Sequence, residues 1–199
     1  MEIDRIGAAG CVVAVMAACA GCGDADQAAP PPSSSSASAT SSAVTGPPSG
    51  RPSDYGSLLI KPDEVGGGFT APQSPMLNPN NAPGAAQLFA NADSSRRLWD
   101  TIVVASDPSA AAAELSSTQG GYNGKVSGSW QPLAVGANGA SISGTAPDNS
   151  QAMTVLVFTE GRALVTLEFD SAPNDPTDPA VALDIARKQD AAIKRGLPG

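Results

Sequence analysis

The sequence predicts an α+β fold, in which two helices pack on an antiparallel sheet of about four to six strands. Three observations favour this class. Short apolar stretches with a period of two are typical of strands, and residues 153–159 and 163–169 form a hairpin pattern. Two other segments begin with residues that initiate helices. Hairpin-connected strands combined with two helices are typical of α+β domains.

The hairpin is the clearest element of the sequence. Its strands flank Glu160-Gly161-Arg162, and glycine is common in such short turns. Both faces of the first strand are apolar, which predicts a central position in the sheet. In the second strand one set of alternate positions is wholly apolar, as expected of a half-buried strand: Ala163, Val165, Leu167 and Phe169.

Both helices are recognised by their first residues. Asp107 and Pro108 supply an N-cap and a first helical residue to an Ala-rich segment that is expected to end near Gly120. Asp178 is expected to cap a second helix over residues 179–195. One face of this second helix forms a stripe that we expect to be buried: Ala182, Ile185, Ala186, Gln189, Ala192 and Ile193.

The rest of the domain is predicted as short strands, a helical turn and loops. The apolar run Leu58-Leu59-Ile60 stops at Lys61, and a helical turn is expected at residues 62–65. Further strands are expected at residues 87–91, 98–105, 125–135 and 140–145.

A long irregular loop is expected between residues 66 and 85, which include four glycines and four prolines. Its apolar side chains Phe69, Met76 and Leu77 leave two interpretations open. Either the loop is mobile and these side chains contact a partner, or they pack into the core and fix the loop. Gly66-Gly67-Gly68 is interpreted as a flexible joint, because it lacks the Lys-Ser/Thr of a phosphate-binding loop.

The first 53 residues differ in composition from the rest. Residues 6–21 are apolar or small and uncharged, a run too short for a typical spanning helix but typical of a signal peptide. Residues 22–53 are nearly all Ser, Ala, Pro, Gly and Thr, so a disordered linker is expected. Its Ser and Thr clusters are either sites for O-linked sugars or an unmodified spacer. The predicted organisation is a signal peptide (1–21), a linker (22–53) and one globular domain (54–199).

Ala20-Gly21-Cys22-Gly23 resembles the end of a lipobox, whose usual form is Leu-Ala-Gly-Cys before Gly or Ser. The resemblance implies that Cys22 becomes the acylated N-terminus. Cys19 is the alternative, because the residues before it also form a passable lipobox. Two or three acyl chains, such as palmitate, hold a protein stably on a membrane. The resemblance therefore implies a lipid anchor at the extracytoplasmic face of the cell membrane.

Composition limits the chemistry of the domain. The chain has no His, and its three Cys all lie within the first 22 residues. A Ser-His-Asp triad, a Cys-His pair and zinc sites built from His or thiolate are therefore excluded from the domain. We assign no catalytic, cofactor-binding or metal-binding residue. The formal charge of −8, without a long basic stripe, also argues against nucleic acid as a partner.

Two further residue groups have more than one interpretation. Asp170, Asp175 and Asp178 lie in one stretch and offer oxygens to Ca²⁺, but they lack the spacing of a calcium loop, and Asp178 already serves as a cap. Trp99 and Trp130 are expected in the core rather than on a ligand-binding surface.

The whole layout resembles the small lipoproteins of mycobacteria and related actinobacteria, some of which have sensor-like or photosystem-protein-like α+β domains. Besides the lipobox, the resemblance rests on residues 58–65, where Leu-Leu is followed by Pro-x-Glu-Val, and on residues 183–197. Several members carry paired cysteines that this domain lacks. The resemblance implies no catalytic residues.

Three functions are consistent with these observations. The favoured one is a non-enzymatic binding or interaction module of the cell envelope, whose partner is an unidentified protein or hydrophobic small molecule. The second is a carrier that holds a lipid or another hydrophobic ligand in a cavity between sheet and helices. The third is a hydrolase that uses carboxylates.

Overall fold

The computed structural model describes residues 54–197. It has one antiparallel sheet of seven strands and three helices, which confirms the α+β class. The strands are β1 (Met76–Leu77), β2 (Gly84–Ala90), β3 (Arg97–Val104), β4 (Gln131–Pro132), β5 (Ala137–Thr145), β6 (Ala152–Glu160) and β7 (Ala163–Ser171). The helices are α1 (Pro62–Val65), α2 (Pro108–Tyr122) and α3 (Pro179–Gly196). The predicted signal peptide, the linker and both candidate anchor cysteines lie outside the described residues.

The strands lie in the order β1-β2-β3-β7-β6-β5-β4, so the two-residue strands β1 and β4 form the edges. These short edges explain why the sheet has more strands than expected. The β6–β7 hairpin pairs Glu160 with Ala163, and Gly161 in its turn has a φ of 54°, a value that glycine adopts readily. Strand β6 lies between β5 and β7 and is buried over all but its last residue, which confirms its central position.

One face of the sheet, the α3 face, packs against α3. The buried residues of α3 are the six that the apolar stripe predicted: Ala182, Ile185, Ala186, Gln189, Ala192 and Ile193. The five apolar ones lie in a cluster with the largest side chains of the sheet, among them Phe89, Leu98 and Phe158. Full burial of each such side chain stabilises the fold by ~1.5–3 kcal/mol. This face therefore contains the principal core.

An N-terminal strap, residues 55–65, crosses the α3 face. Gln189 fixes it twice, because its Nε2 donates to the Leu58 carbonyl at 2.8 Å and its Oε1 accepts from the Ile60 N–H at 3.1 Å. Lys188 Nζ donates to the Glu64 carbonyl at 2.8 Å. The apolar run at 58–60 is buried beneath these bonds. The strap thus belongs to the domain, and the helical turn predicted at 62–65 is α1.

The opposite face of the sheet, the α2 face, is covered less completely. Asp107 caps α2 as predicted, since its Oδ1 accepts from the Ala110 N–H at 2.9 Å. Only Ala111 and Leu115 of this helix are buried, and α2 packs on β6 and β7. The helix continues two residues beyond Gly120 and ends at Tyr122, whose hydroxyl donates to Glu168 on β7. The contact between α2 and the sheet is therefore shallow, since it buries one alanine and one leucine of the helix.

The strand predicted over residues 125–135 was wrong except at β4. Residues 126–130 run beside β5, where the Ser127 N–H donates to the Thr145 carbonyl at 3.0 Å. Gly128 approaches so closely that a Cβ there would lie 2.1 Å from the Ser143 carbonyl oxygen. Only glycine lets the backbone approach β5 so closely, and this approach takes the place of regular strand pairing.

Over residues 54–197, no helix is both long enough and apolar enough to cross a membrane.

Candidate functional site

A surface groove of about 510 Å³ separates α2 from the β4–β5 edge of the sheet. We call it the α2 groove. Its volume lies within the range of about 300–1,000 Å³ that is typical of small-molecule sites. The residues that line it are Ala112, Leu115, Ser116, Gln119, Trp130, Gln131, Pro132, Asn138, Gly139 and Ala140.

One wall of the α2 groove is a single face of α2. Ala112, Leu115, Ser116 and Gln119 are spaced by three or four residues, so their side chains project from the same side of the helix. Leu115 is buried and also belongs to the apolar cluster of the α2 face. The small side chains of Ala112 and Ser116 leave the space above it. The groove therefore follows from the Ala- and Ser-rich composition of this helix.

The other wall contains a bulge in β5. The β5–β6 register shifts between Ala137 and Ala140, and Asn138 has a φ of 56°. Asn138 Nδ2 donates to Thr159 Oγ1 at 3.4 Å. A Cβ on Gly139 would lie 2.4 Å from the Leu133 carbonyl oxygen, so only glycine fits there. Bulges often redirect side chains next to functional sites, and this one shapes the groove wall.

Trp130 connects the groove to the core. Its ring is partly buried, packs against the α2-face cluster and meets the Tyr122 ring edge-on, with 6.5 Å between centroids and 76° between planes. The prediction that Trp130 is a core residue is thus only partly right, because the same ring lines the groove. Its Nε1 is buried and has no hydrogen-bond partner among residues 54–197.

Tyr122 fixes the orientation of Trp130. Its hydroxyl donates to Glu168 Oε2 on β7, and Lys125 Nζ lies 5.3 Å from its ring centroid. Burial raises the pKa of Tyr122, and the hydrogen bond to Glu168 raises this pKa further. The phenol therefore remains a neutral donor at physiological pH. Tyr122 is a positioning residue that joins α2, β7 and the indole ring.

The lining of the α2 groove is neutral but rich in hydrogen-bonding groups. None of its ten lining residues is charged. Gln119, Gln131 and Asn138 supply three carboxamides, and Ser116 supplies a hydroxyl. Each of these groups both donates and accepts hydrogen bonds. The groove therefore offers a mixed donor and acceptor surface beside an aromatic ring.

A second, smaller cleft of about 290 Å³ lies at one end of the sheet, where the β2–β3 and β5–β6 loops meet the residues after β7. We call it the sheet-end cleft. Arg97 Nη2 lies 3.4 Å from Asp170 Oδ2 and donates to Gln151 Oε1 at 3.3 Å. Burial raises the pKa of Asp170, the Glu168 charge raises it further, and Arg97 opposes both effects. The polar side chains of this cleft mainly bind one another.

The structure does not bring the three candidate calcium ligands together. Asp170 faces Arg97, Asp175 pairs with Arg96, and Asp178 accepts from the Ala180 N–H at 2.7 Å as the α3 cap. Within the described part of the chain, no group of three or more acidic residues is arranged to hold a metal ion. The calcium hypothesis for these residues therefore has no structural support.

Sequence reasoning missed the buried acid Asp100. It lies on the α3 face of β3, fully buried, and neither carboxyl oxygen has a hydrogen-bond partner within residues 54–197. Burial raises the pKa of Asp100 to about 8. The Ile60 N–H, which donates to Gln189, lowers this pKa, but its effect is smaller than that of burial. The sequence did contain a sign of this burial, because Asp100 shares one face of the strand predicted at 98–105 with Leu98 and Ile102.

The structure places the three apolar side chains of the loop between residues 66 and 85 in different environments. Phe69 is partly buried and packs against the core of the α3 face. Met76 and Leu77 form β1 and remain 55% and 46% exposed.

Trp99 is 38% exposed on the α2 face, so the prediction that it is a core residue was wrong. The physical reason is that α2 packs on β6 and β7 and does not extend over Trp99.

No protein-family model matches the sequence, and no curated protein matches it at a significant level. Among solved structures, the chain is similar to the extracellular domain of PknH from Mycobacterium tuberculosis. The two share 9% sequence identity with a TM-score of 0.49, over 67% of this chain and 93% of that domain.

Proposed function

We propose that this chain is a non-enzymatic binding module of the cell envelope, anchored through a lipid on Cys22, and that the α2 groove holds its ligand. The observation that carries this proposal is the construction of the groove. One face of α2, a β-bulge and the fixed ring of Trp130 together form a neutral, polar-lined depression. Ligand sites commonly combine an apolar or aromatic surface with a few convergent polar groups.

Two features support binding over the two alternative functions. A lipid carrier needs an apolar cavity between sheet and helices, whereas all six stripe residues of α3 are packed into the core. A carboxylate-dependent hydrolase needs an acid that reaches its substrate. The carboxyl group with the strongly raised pKa is Asp100, and it is completely buried. A buried acid of this kind does not touch a substrate.

Blocking the groove tests the binding proposal. We expect Ser116→Trp to fill the groove and to remove a ligand that co-purifies with the full chain from membranes. Ser117→Trp is the matched control, because Ser117 is exposed on the same helix but does not line the groove. Native mass spectrometry of both variants and the parent gives the readout. Retention of the same bound mass in Ser116→Trp would place the ligand elsewhere.

Detergent partitioning tests the anchor. The lipobox at residues 20–22 leads us to expect that Cys22→Ala moves the full chain from the detergent phase to the aqueous phase. Cys19→Ala is the control and should partition like the parent. If Cys22→Ala still enters the detergent phase while Cys19→Ala does not, then Cys19 carries the lipid. If both variants stay with detergent, neither cysteine alone accounts for the anchoring.

A further inference from the structure

We propose that the ligand of the α2 groove is a neutral carbohydrate, bound by the carboxamides of Gln119, Gln131 and Asn138 beside the ring of Trp130. This inference rests on the proposed function and specifies its ligand class. A sugar ring presents C–H groups on its faces and hydroxyls around its edge. The α2 groove is lined by both kinds of group, an aromatic ring with small apolar side chains and three carboxamides.

Hydrogen-bonding capacity favours hydroxyl groups as partners. A sugar hydroxyl both donates and accepts a hydrogen bond, and a carboxamide side chain does the same. Gln119 and Gln131 can therefore pair with hydroxyls in either direction, whereas Ser116 already donates to the Ala112 carbonyl and Asn138 to Thr159, which leaves mainly their acceptor oxygens for a ligand. The aromatic ring supplies a surface for the C–H groups, as aromatic side chains do for other apolar surfaces. Tyr122, at the end of α2, packs edge-to-face with that ring while its hydroxyl donates to Glu168 on β7.

The charge of the lining argues against ionic ligands. An anion would be expected to contact Lys or Arg, and a cation Asp or Glu. None of these residues lines the α2 groove, whereas the sheet-end cleft contains both Arg97 and Asp170. A neutral ligand therefore fits the α2 groove better than a phosphorylated or acidic one.

Lipids and peptides fit the groove less well than a sugar. A lipid chain would cover the carboxamides without pairing them, which is unfavourable for buried polar groups. A peptide that adds to the sheet needs a long free edge. The edge here is β4, which has two residues, and one of them is Pro132, which has no N–H to donate. A discrete neutral glycan avoids both problems.

Tryptophan fluorescence provides a direct test on the full chain. The chain has two tryptophans, so Trp99→Phe leaves Trp130 as the sole indole reporter. The probes are cellotetraose, chitotetraose and mannotetraose as neutral glycans, decanoate as a lipid chain and blocked tetra-alanine as a peptide. We expect at least one tetrasaccharide to protect Trp130 from acrylamide quenching at millimolar concentration. Decanoate and the peptide should leave the quenching unchanged.

Two glutamine variants locate the site. Gln119→Ala removes one groove carboxamide and should weaken tetrasaccharide binding about three- to tenfold, the equivalent of one hydrogen bond. Gln151→Ala is the matched control, because Gln151 lies in the sheet-end cleft. It should change the affinity less than about twofold. Circular dichroism melts of both variants confirm that the fold is retained.

The outcomes separate the ligand class from the groove itself. If decanoate or the peptide protects Trp130 and no tetrasaccharide does, the carbohydrate inference is overturned while the groove remains a binding site. If tetrasaccharide binding depends on Gln151 and not on Gln119, the α2 groove is the wrong site for both proposals. If no probe protects Trp130, the carbohydrate inference is overturned, and the ligand mass retained or lost in Ser116→Trp decides the proposed function independently.

Discussion

Replacing Asp100 by Asn is expected to remove most of the dependence of stability on pH between about pH 4 and pH 8. The carboxyl group is fully buried, and its pKa is raised from 3.8 to about 8. Above pH 3.8 the unfolded chain releases this proton, whereas the folded chain keeps it until about pH 8. The unfolded state therefore binds fewer protons in this window, and stability falls as pH rises.

The size of the effect follows from the width of this window. One pKa unit corresponds to ~1.4 kcal/mol, so the free energy of unfolding should fall by that amount per pH unit. Between about pH 5 and pH 7 the parent should lose ~2.7 kcal/mol from this group. Asp170, whose pKa is also raised, leaves a smaller slope of the same sign in Asp100→Asn. The variant should consequently be the more stable protein near pH 8.

Urea unfolding at a series of pH values measures this slope for the parent and for Asp100→Asn. Asp148→Asn is the control, because Asp148 is exposed and the Ser150 hydrogen bonds lower its pKa. The control should keep the parental slope between about pH 5 and pH 8. Equal slopes in the parent and in Asp100→Asn would show that Asp100 is ionised in the folded state, and the reasoning from burial would be refuted.

Three further substitutions or measurements test the fold. Gly139→Ala should lower the free energy of unfolding by ~1–3 kcal/mol in urea melts, because the new Cβ would collide with backbone oxygens. Gly120→Ala is the control: its new Cβ would have no atom within 4 Å, and the change should raise the stability of α2 by ~0.5–1 kcal/mol. Ile185→Ala should cost ~2–5 kcal/mol, and the exposed Val181→Ala should stay within ~0.5 kcal/mol. In hydrogen exchange, residues 71–75 should exchange faster than the β6–β7 hairpin, and equal protection would show that this part of the loop is rigid.

The elements that the sequence predicted well are those with a strong local period. The α3 stripe repeats every three or four residues, and its six buried positions are the six expected ones. In the β6–β7 hairpin, a strand that is apolar on both faces and a strand with an apolar set of alternate positions flank a glycine turn. These patterns arise from residues close together in the chain, so they are visible without knowledge of the rest of the fold. Capping by Asp107 and Asp178 is equally local and was also predicted.

The features that the sequence did not predict depend on distant residues. Residues 126–130 alternate like a strand, but the approach of Gly128 to β5 decides their path. Trp99 has the size of a core residue, yet its exposure depends on where α2 ends its contact with the sheet. The burial of Asp100 depends on packing that includes the strap, whose Ile60 N–H lies close to its carboxyl group. Long-range packing of this kind leaves no periodic signal in the chain.

Of the three parts that form the α2 groove, the helix face could be predicted from the sequence, whereas the β-bulge and the position of Trp130 could not. The spacing of Ala112, Leu115, Ser116 and Gln119 on one helix face is readable from the sequence. The bulge at Asn138 and the position of Trp130 above α2 depend on the β5–β6 register and on contacts across the sheet. A groove made by such a combination is recognisable only after folding.

The two faces of the sheet differ in what they contribute. The α3 face buries six side chains of α3 together with the largest apolar residues of the sheet, so most of the stability originates there. The α2 face buries only two residues of α2 and leaves a groove beside them. Polar groove residues such as Gln119 therefore lie apart from the principal core. Their substitution should cost little stability, and a loss of binding in Gln119→Ala can accordingly be attributed to the site itself.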